Sequence, residues 1–281
     1  MWTIDAATIL TGVLGYPVRH SLSPAMHNAA FRALDLNWVY LAFETPPSAL
    51  PDAIAGMRGL RLRGLNLTIP HKQAVIPLLD ELTDSARQVG AVNTLFWVGE
   101  RLIGDNTDAA GFLHALREHG VEPTGQTVLI LGAGGAARAV AYALQQQRCQ
   151  LIIANRTPER AQQLAQAFTT TPIALTPDAL KPLLNQLDGV VNCTALGMTP
   201  DVDSCPPIEW ERLPDRAWAC DLVYRPLQTR FLQGAHARGL TAIDGLGMLV
   251  YQGALAFERW TGLPAPINTM RSAAEQALGV S

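Results

Sequence analysis

Short apolar runs alternate with amphipathic stretches along the whole chain. In the first part, residues 8–13, 38–43, 64–70 and 91–98 carry the apolar density of buried strands. Helical periodicity predicts helices over residues 23–34 and 46–57, and another begun by His71 and Lys72. Ser23 followed by Pro24 reads as an N-cap with proline at the first helical position. Asn66 and Thr68 are two apart in a predicted strand, so they share a face. Later strands are expected at residues 127–131, 150–154, 189–192, 218–223 and 240–244. Helices are expected up to Gln147, from Thr176, and over 229–238, 247–260 and 267–278. Strands alternating with helices predict an α/β protein with mostly parallel sheets.

The same pattern divides the chain. A loop at 104–111 leads into a helix ending near His119, and Gly120 and Pro123 close it before the strand at Thr127. A nucleotide-type domain fills 111–244. The helix carrying Gln252 is expected to return to the first domain, which then comprises 1–110 and 245–281. Gly104, Gly111, Gly245 and Gly247 flank the two crossings and suit a hinge around a central cleft.

The stretch from Thr127 to Val140 is a strand, a tight turn and the start of a helix. Gly132, Gly134 and Ala137 fit the G-x-G-x-x-G/A spacing of dinucleotide-binding folds. Gly132, Ala133, Gly134, Gly135 and Ala136 would cradle a pyrophosphate on free N–H groups at the helix start. The end of the following strand, where an acid would bind a ribose 2′-hydroxyl, has Asn155-Arg156-Thr157 instead, with Arg160 one turn on. No carboxylate repels a 2′-phosphate and two guanidiniums can bind one, which predicts NADP over NAD. The alternative reading is two solvated arginines at a helix start.

Composition narrows the function. A chain of 281 residues fits two domains, and 48% apolar with 16% charged residues fits folded cores. A formal net charge of −3 gives neither a nucleic-acid footprint nor a polybasic membrane patch. No apolar run reaches membrane-spanning length. The N-terminus from Met1 to Asp5 lacks the basic region of a signal peptide. Cys149, Cys193, Cys205 and Cys220 have no C-x-x-C spacing, so neither zinc nor a redox pair is expected. A cytoplasmic, reduced, globular protein without a metal is the resulting expectation.

Ser21, Ser23, Asn66, Thr68, Lys72, Asn93 and Asp108 fall at strand ends and helix starts. In α/β sheets the carboxyl ends of strands form the ligand crevice. Hydroxyls and amides there suit a small polyhydroxylated ligand, and serines at a helix start suit a carboxylate on it. Each also has a plain structural reading as a cap, a backbone partner or a solvated lysine.

Gly15-Tyr16-Pro17, His20-Ser21-Leu22-Ser23-Pro24, Asn66-Leu67-Thr68-Ile69-Pro70-His71-Lys72, Gly90-Ala91-Val92-Asn93-Thr94 and Asn106-Thr107-Asp108 resemble the signatures of shikimate dehydrogenases. So do Gly132-Ala133-Gly134-Gly135-Ala136, Asn155-Arg156-Thr157, Asn192-Cys193-Thr194, Asp221-Leu222-Val223-Tyr224 and Asp244-Gly245-Leu246-Gly247-Met248-Leu249 with Gln252. Cys193 and Leu65 depart from the small residues usual there. The resemblance implies a substrate-binding domain and a Rossmann-type NADP domain. It implies reversible NADPH-dependent reduction of 3-dehydroshikimate to shikimate, on the route to chorismate and aromatic amino acids. Lys72 and Asp108 would be the catalytic pair. Ser21 and Ser23 would hold the carboxylate, and Asn66, Thr68, Asn93, Tyr224 and Gln252 the ring hydroxyls or pocket wall. Asn155, Arg156, Thr157 and Arg160 would meet the 2′-phosphate. Leu222, Gly245 and Met248 would line the nicotinamide site, with Asp84 at a further cofactor position or a solvated helix residue. The partner is a small molecule, not nucleic acid or membrane, and the chain is expected as a monomer or homodimer. A quinate/shikimate dehydrogenase, which an acid near Arg156 would have favoured, and a silent NADP-binding regulator are the rivals.

In chemical terms the protein must align a nicotinamide with a ketone and supply a proton as the oxyanion forms. A lysine ammonium can polarise the ketone and donate, and a nearby carboxylate can hold it charged and oriented.

Overall fold

The computed structural model describes residues 4–280, so Met1 to Thr3 of the N-terminal stretch expected not to be a signal peptide lie outside the described residues. In chain order the elements are β1 (Ile9–Gly15), α1 (Ser23–Ala33), β2 (Trp38–Glu44), α2 (Leu50–Gly59), β3 (Gly64–Leu67) and α3 (His71–Ala74). Then come β4 (Glu81–Leu82), α4 (Asp84–Val89), β5 (Thr94–Val98), β6 (Arg101–Asp105) and α5 (Asp108–Glu118). They continue with β7 (Thr127–Leu131), α6 (Gly135–Gln146), β8 (Gln150–Asn155), α7 (Pro158–Phe168), β9 (Thr171–Ala174), α8 (Pro177–Leu180) and β10 (Gly189–Asn192). The last are β11 (Trp218–Asp221), α9 (Arg230–Ala237), β12 (Thr241–Ile243), α10 (Gly245–Thr261) and α11 (Ile267–Leu278). They form two units. Unit 1 combines the chain up to Gly111 with the chain from Val250, and unit 2 is Phe112–Leu249.

Unit 1 has a six-stranded sheet in the order β2-β1-β3-β5-β6-β4. β1 pairs in parallel with β2 and β3, and β4 with β6, but β5 is antiparallel to both its neighbours. Two residues explain the pairing of β5 with β6. Gly99, at φ +60°, and Glu100 turn the chain between Val98 and its partner Arg101, so β6 returns along β5 as a hairpin. The apolar pattern does not mark β6, because Arg101, Gly104 and Asp105 interrupt it. β3 closes at Leu67 and so stops one residue short of Thr68. The alternation expected to put Thr68 beside Asn66 therefore does not reach it.

The aromatic part of this core lies where α10 meets the sheet. Phe31, Tyr40, Phe257 and Trp260 are buried, and Trp260 Nε1 donates to the Leu95 carbonyl at 2.9 Å. Gly64 makes room for that indole: a Cβ there would stand 2.0 Å from Trp260 Nε1.

Unit 2 has an all-parallel sheet in the order β12-β11-β10-β7-β8-β9. Numbered within the unit and read from β9, this is the 3-2-1-4-5-6 order of doubly wound dinucleotide-binding domains. β9 is not marked in the sequence because Pro172 sits inside it. At the sheet edge a missing N–H is tolerated. The order reverses between β7 and β10, and Gly132 leaves β7 there at φ +106°. A Cβ on Gly132 would press to 3.1 Å on the Cys193 backbone, so both conformation and space demand glycine.

Gly64→Ala should overpack the Trp260 seat and lower unfolding stability by about 1–3 kcal/mol. Urea denaturation checks this: an unchanged midpoint would mean that the indole moves aside freely.

Candidate active site

In unit 1 the polar residues at the strand ends are joined into one network. Lys72 is the second residue of α3. The preceding His71 is fully buried and donates from Nε2 to the Thr45 carbonyl at 2.7 Å, which anchors the helix start. Asp108 opens α5, at the positive end of its dipole. The two meet: Lys72 Nζ is 2.6 Å from Asp108 Oδ2, with side chains 16% and 5% exposed. The ammonium is thus the more accessible member of the pair.

Asn93 fixes the carboxylate from the other side. Its Nδ2 lies 2.8 Å from Asp108 Oδ1, 2.9 Å from Thr107 Oγ1 and 3.2 Å from Gln252 Oε1. Its Oδ1 accepts the Thr107 N–H at 2.8 Å and the Thr94 hydroxyl at 3.0 Å. Its carbonyl accepts from Leu67 N–H and from Asn66 Nδ2. Gln252 is contributed by α10, so a residue far along the chain joins the group.

The segment ahead of Asp108 is held by a buried carboxylate. Asp105 accepts from Thr83 Oγ1 at 2.6 Å, Ser85 Oγ at 2.8 Å, the Asn106 N–H at 2.8 Å and Arg259 Nε at 2.9 Å. Burial pushes its carboxyl up, but the Thr83 and Ser85 bonds, the Arg259 charge and the Asn106 N–H together hold it below the ordinary value. Asn106 in turn donates to the Ala91 carbonyl at 2.9 Å and accepts the Ala109 N–H at 3.3 Å. Asp105 and Arg259 are not marked by the sequence, and Thr94 and Thr107 lie in its motifs without an assigned role. For Asp105 the usable signal is its place three residues before Asp108.

The remaining candidates of unit 1 are placed as follows. The Ser21 Oγ accepts the Ser23 N–H at 3.3 Å, and α1 begins at Ser23 itself with no side-chain cap bond. Ser23 is therefore not the cap; Ser21 takes the backbone group, and the Ser23 hydroxyl is released for another partner. Thr68 is half-buried beyond β3. Asp84 lies exposed at the start of α4, paired with Arg87 at 2.7 Å, and no other candidate joins it.

In unit 2 the glycine turn is open. A Cβ on Gly134 would meet nothing, and α6 starts without a side-chain cap, so its first N–H groups are presented at Gly134, Gly135 and Ala136. Such a cradle fits a pyrophosphate. Ala133 is half-buried beside it. Arg156, Thr157 and Arg160 are exposed, and neither arginine is in an ion pair among the described residues. Asn155 Nδ2 donates to the Thr157 carbonyl at 2.9 Å and shapes that loop. This donor set fits a 2′-phosphate.

Past β11, Leu222 runs against Gly245: a Cβ there would come 2.4 Å from the Leu222 carbonyl oxygen. Met248 is buried in the same helix, and Tyr224 is half-buried, its phenol pushed up by burial against the pull of Arg225. The loop hangs on Asp221, whose carboxylate accepts from Thr229 Oγ1 at 2.6 Å, Val223 N–H at 3.0 Å and Asn192 Nδ2 at 3.0 Å. Burial is the larger effect and pushes Asp221 up to about 6. Among the described residues no group of three His, Cys, Asp or Glu gathers as a metal site, and no helix is long and apolar enough to cross a membrane.

The chain matches known proteins throughout. Residues 13–95 match the shikimate dehydrogenase substrate binding domain, 115–199 the shikimate/quinate 5-dehydrogenase domain and 245–275 the shikimate 5′-dehydrogenase C-terminal domain. The shikimate dehydrogenase (NADP(+)) of Moorella thermoacetica is 48% identical, over 100% of this chain and 97% of its own. That of Symbiobacterium thermophilum is 49% identical, over 96% and 94%. The crystal structure of shikimate 5-dehydrogenase from Thermus thermophilus in complex with NADP(H) and shikimate superposes with a TM-score of 0.87. It has 45% identity and covers 96% of this chain and 99% of that one.

The Asp221 carboxyl carries a pH signature. Its folded value, about 6, lies above the ordinary value of 3.8, so the fold disfavours the charged form. Its contribution to stability therefore improves as pH falls through 6 and is complete below 3.8. Relative to Asp221→Asn, the wild type should gain on the order of 3 kcal/mol between pH 7 and 4. Chemical denaturation of both proteins at the two pH values reads this; a pH-independent difference would exclude a raised Asp221.

Proposed function

Because the chain belongs to the shikimate dehydrogenase family, we propose that Lys72 and Asp108 are the pair that handles the proton in its reaction. That reaction is the reversible NADPH-dependent reduction of 3-dehydroshikimate to shikimate. The observation that carries the assignment is the 2.6 Å contact between Lys72 Nζ and Asp108 Oδ2, with Asn93 holding the other carboxylate oxygen. NADPH, when bound, supplies the hydride.

Lys72 points its ammonium at the ketone oxygen and gives up a proton as negative charge develops there. In the oxidation direction it takes the hydroxyl proton back. Asp108 orients the ammonium and can accept from a neighbouring substrate hydroxyl. Asn93 stops the carboxylate from rotating. Ser21 and Ser23 bind the substrate carboxylate, and Asn66, Thr68 and Gln252 its ring hydroxyls. Gly132, Ala133, Gly134, Gly135 and Ala136 hold the pyrophosphate. Arg156 and Arg160, with Asn155 and Thr157, hold the 2′-phosphate. Leu222, Gly245 and Met248 line the nicotinamide. A cytoplasmic setting belongs to the same reading.

Lys72→Met should lower kcat by about 10²–10⁴ while the KM for shikimate changes little. Asp108→Asn should also lower kcat, since an amide cannot pair with the ammonium. Steady-state kinetics decide: a raised KM with normal kcat would make Lys72 a binding residue only.

Arg156→Ala should raise the KM for NADP by roughly ten-fold or more, the worth of a charge-assisted contact, and leave NAD kinetics little changed. Equal losses with both cofactors would remove Arg156 from the 2′-phosphate.

A further inference from the structure

Tyr40 is the third residue of β2 and has no exposed surface. Its hydroxyl donates to Asn66 Oδ1 at 2.8 Å. One buried oxygen thus holds a residue assigned above to a ring hydroxyl of the substrate.

The ring itself is fixed on several sides. His27 stacks on it with centroids 4.3 Å and planes 7° apart, and Trp260 tilts against it at 6.0 Å. Burial pushes the His27 imidazole down to about 3, and neither of its ring nitrogens has a hydrogen-bond partner, so it packs as a neutral aromatic plate. Asn28 clamps the backbone, donating to the Tyr40 carbonyl at 2.9 Å and accepting its N–H at 2.8 Å.

The bonding of Asn66 shows what the phenol controls. Its two amide hydrogens are committed, to the Asn93 carbonyl at 3.0 Å and to Thr94 Oγ1 at 3.1 Å. Nδ2 has nothing left for a ligand. Oδ1 has two lone pairs, and Tyr40 takes one. The other lone pair is what Asn66 can offer, as an acceptor for a ligand hydroxyl. Its position is set by the phenol.

We propose that Tyr40 is a positioning residue for substrate binding. Its hydroxyl fixes Asn66 Oδ1, so that the remaining lone pair of that oxygen meets a ring hydroxyl of the substrate. The inference rests on the assignment of Asn66 to the substrate.

Tyr40→Phe keeps the ring and its stacking and deletes the hydroxyl. The KM for shikimate should rise about ten-fold, the worth of one hydrogen bond, while kcat falls by less than about three-fold and the KM for NADP stays unchanged. A purely structural Tyr40 would lower the Tm and leave the KM for shikimate alone. Asn66→Ala is measured beside it. If Asn66→Ala raises the KM and Tyr40→Phe leaves it within about two-fold of wild type, the positioning role is overturned and the ligand assignment stands. If Asn66→Ala does not raise it, the ligand assignment fails and the positioning role falls with it. Should Tyr40→Phe not fold, tyrosine-labelled wild-type protein gives the second measurement. The buried Tyr40 hydroxyl proton should shift in NMR spectra as shikimate is titrated in, and a resonance unmoved at saturation would overturn the role.

Discussion

A lysine and an aspartate held 2.6 Å apart and mostly out of water need partners for every atom that faces the protein, because an unmatched buried charge is costly. This requirement organises unit 1. Asn93 answers it for the second oxygen of Asp108, and each bond Asn93 makes sets the next residue, from Thr107 and Thr94 to Asn66 and Gln252. Asp105 answers it for the chain leading into α5, drawing Arg259 down from α10. The polar interior is one chain of donors and acceptors, and its members sit on α3, β3, α4, β5, β6, α5 and α10 or in the loops beside them.

Unit 2 meets the opposite requirement. Its glycine turn must leave N–H groups unused, so the sequence removes what would fill them: no capping side chain at Gly134, no Cβ at Gly132 or Gly134. The buried carboxylate of this unit, Asp221, ties the loop after β11 to β10 and α9. Preorganisation in unit 1 comes from saturated bonding, and in unit 2 from bonding kept open.

Much of this is legible in the sequence, for identifiable reasons. The turn at Gly132, the missing acid beside Arg156 and the polar residues at strand ends are local patterns, and local patterns survive without coordinates. β6 is hidden because a glycine and an aspartate break its apolar run, β9 because it holds Pro172. Asp105, Arg259 and Tyr40 are hidden for another reason. Their significance lies in partners far away in sequence: Arg259 reaches Asp105 across 154 positions, and Tyr40 reaches Asn66 across 26. No short window of sequence contains both ends of such bonds. Ser23 reads wrongly as a cap because the serine two residues earlier can do the same work.

The placement of Trp260 bears on how the protein is made. Unit 2 is one continuous segment, and its core can close once Leu249 has left the ribosome. The first 111 residues emerge earlier but have an open socket above Gly64, and neither the indole nor Gln252 arrives until α10 is translated. The nascent amino-terminal segment must wait for a strap that is synthesised after an entire intervening domain. During that interval Phe31 and Tyr40 lack the cover that Phe257 and Trp260 give them in the finished fold.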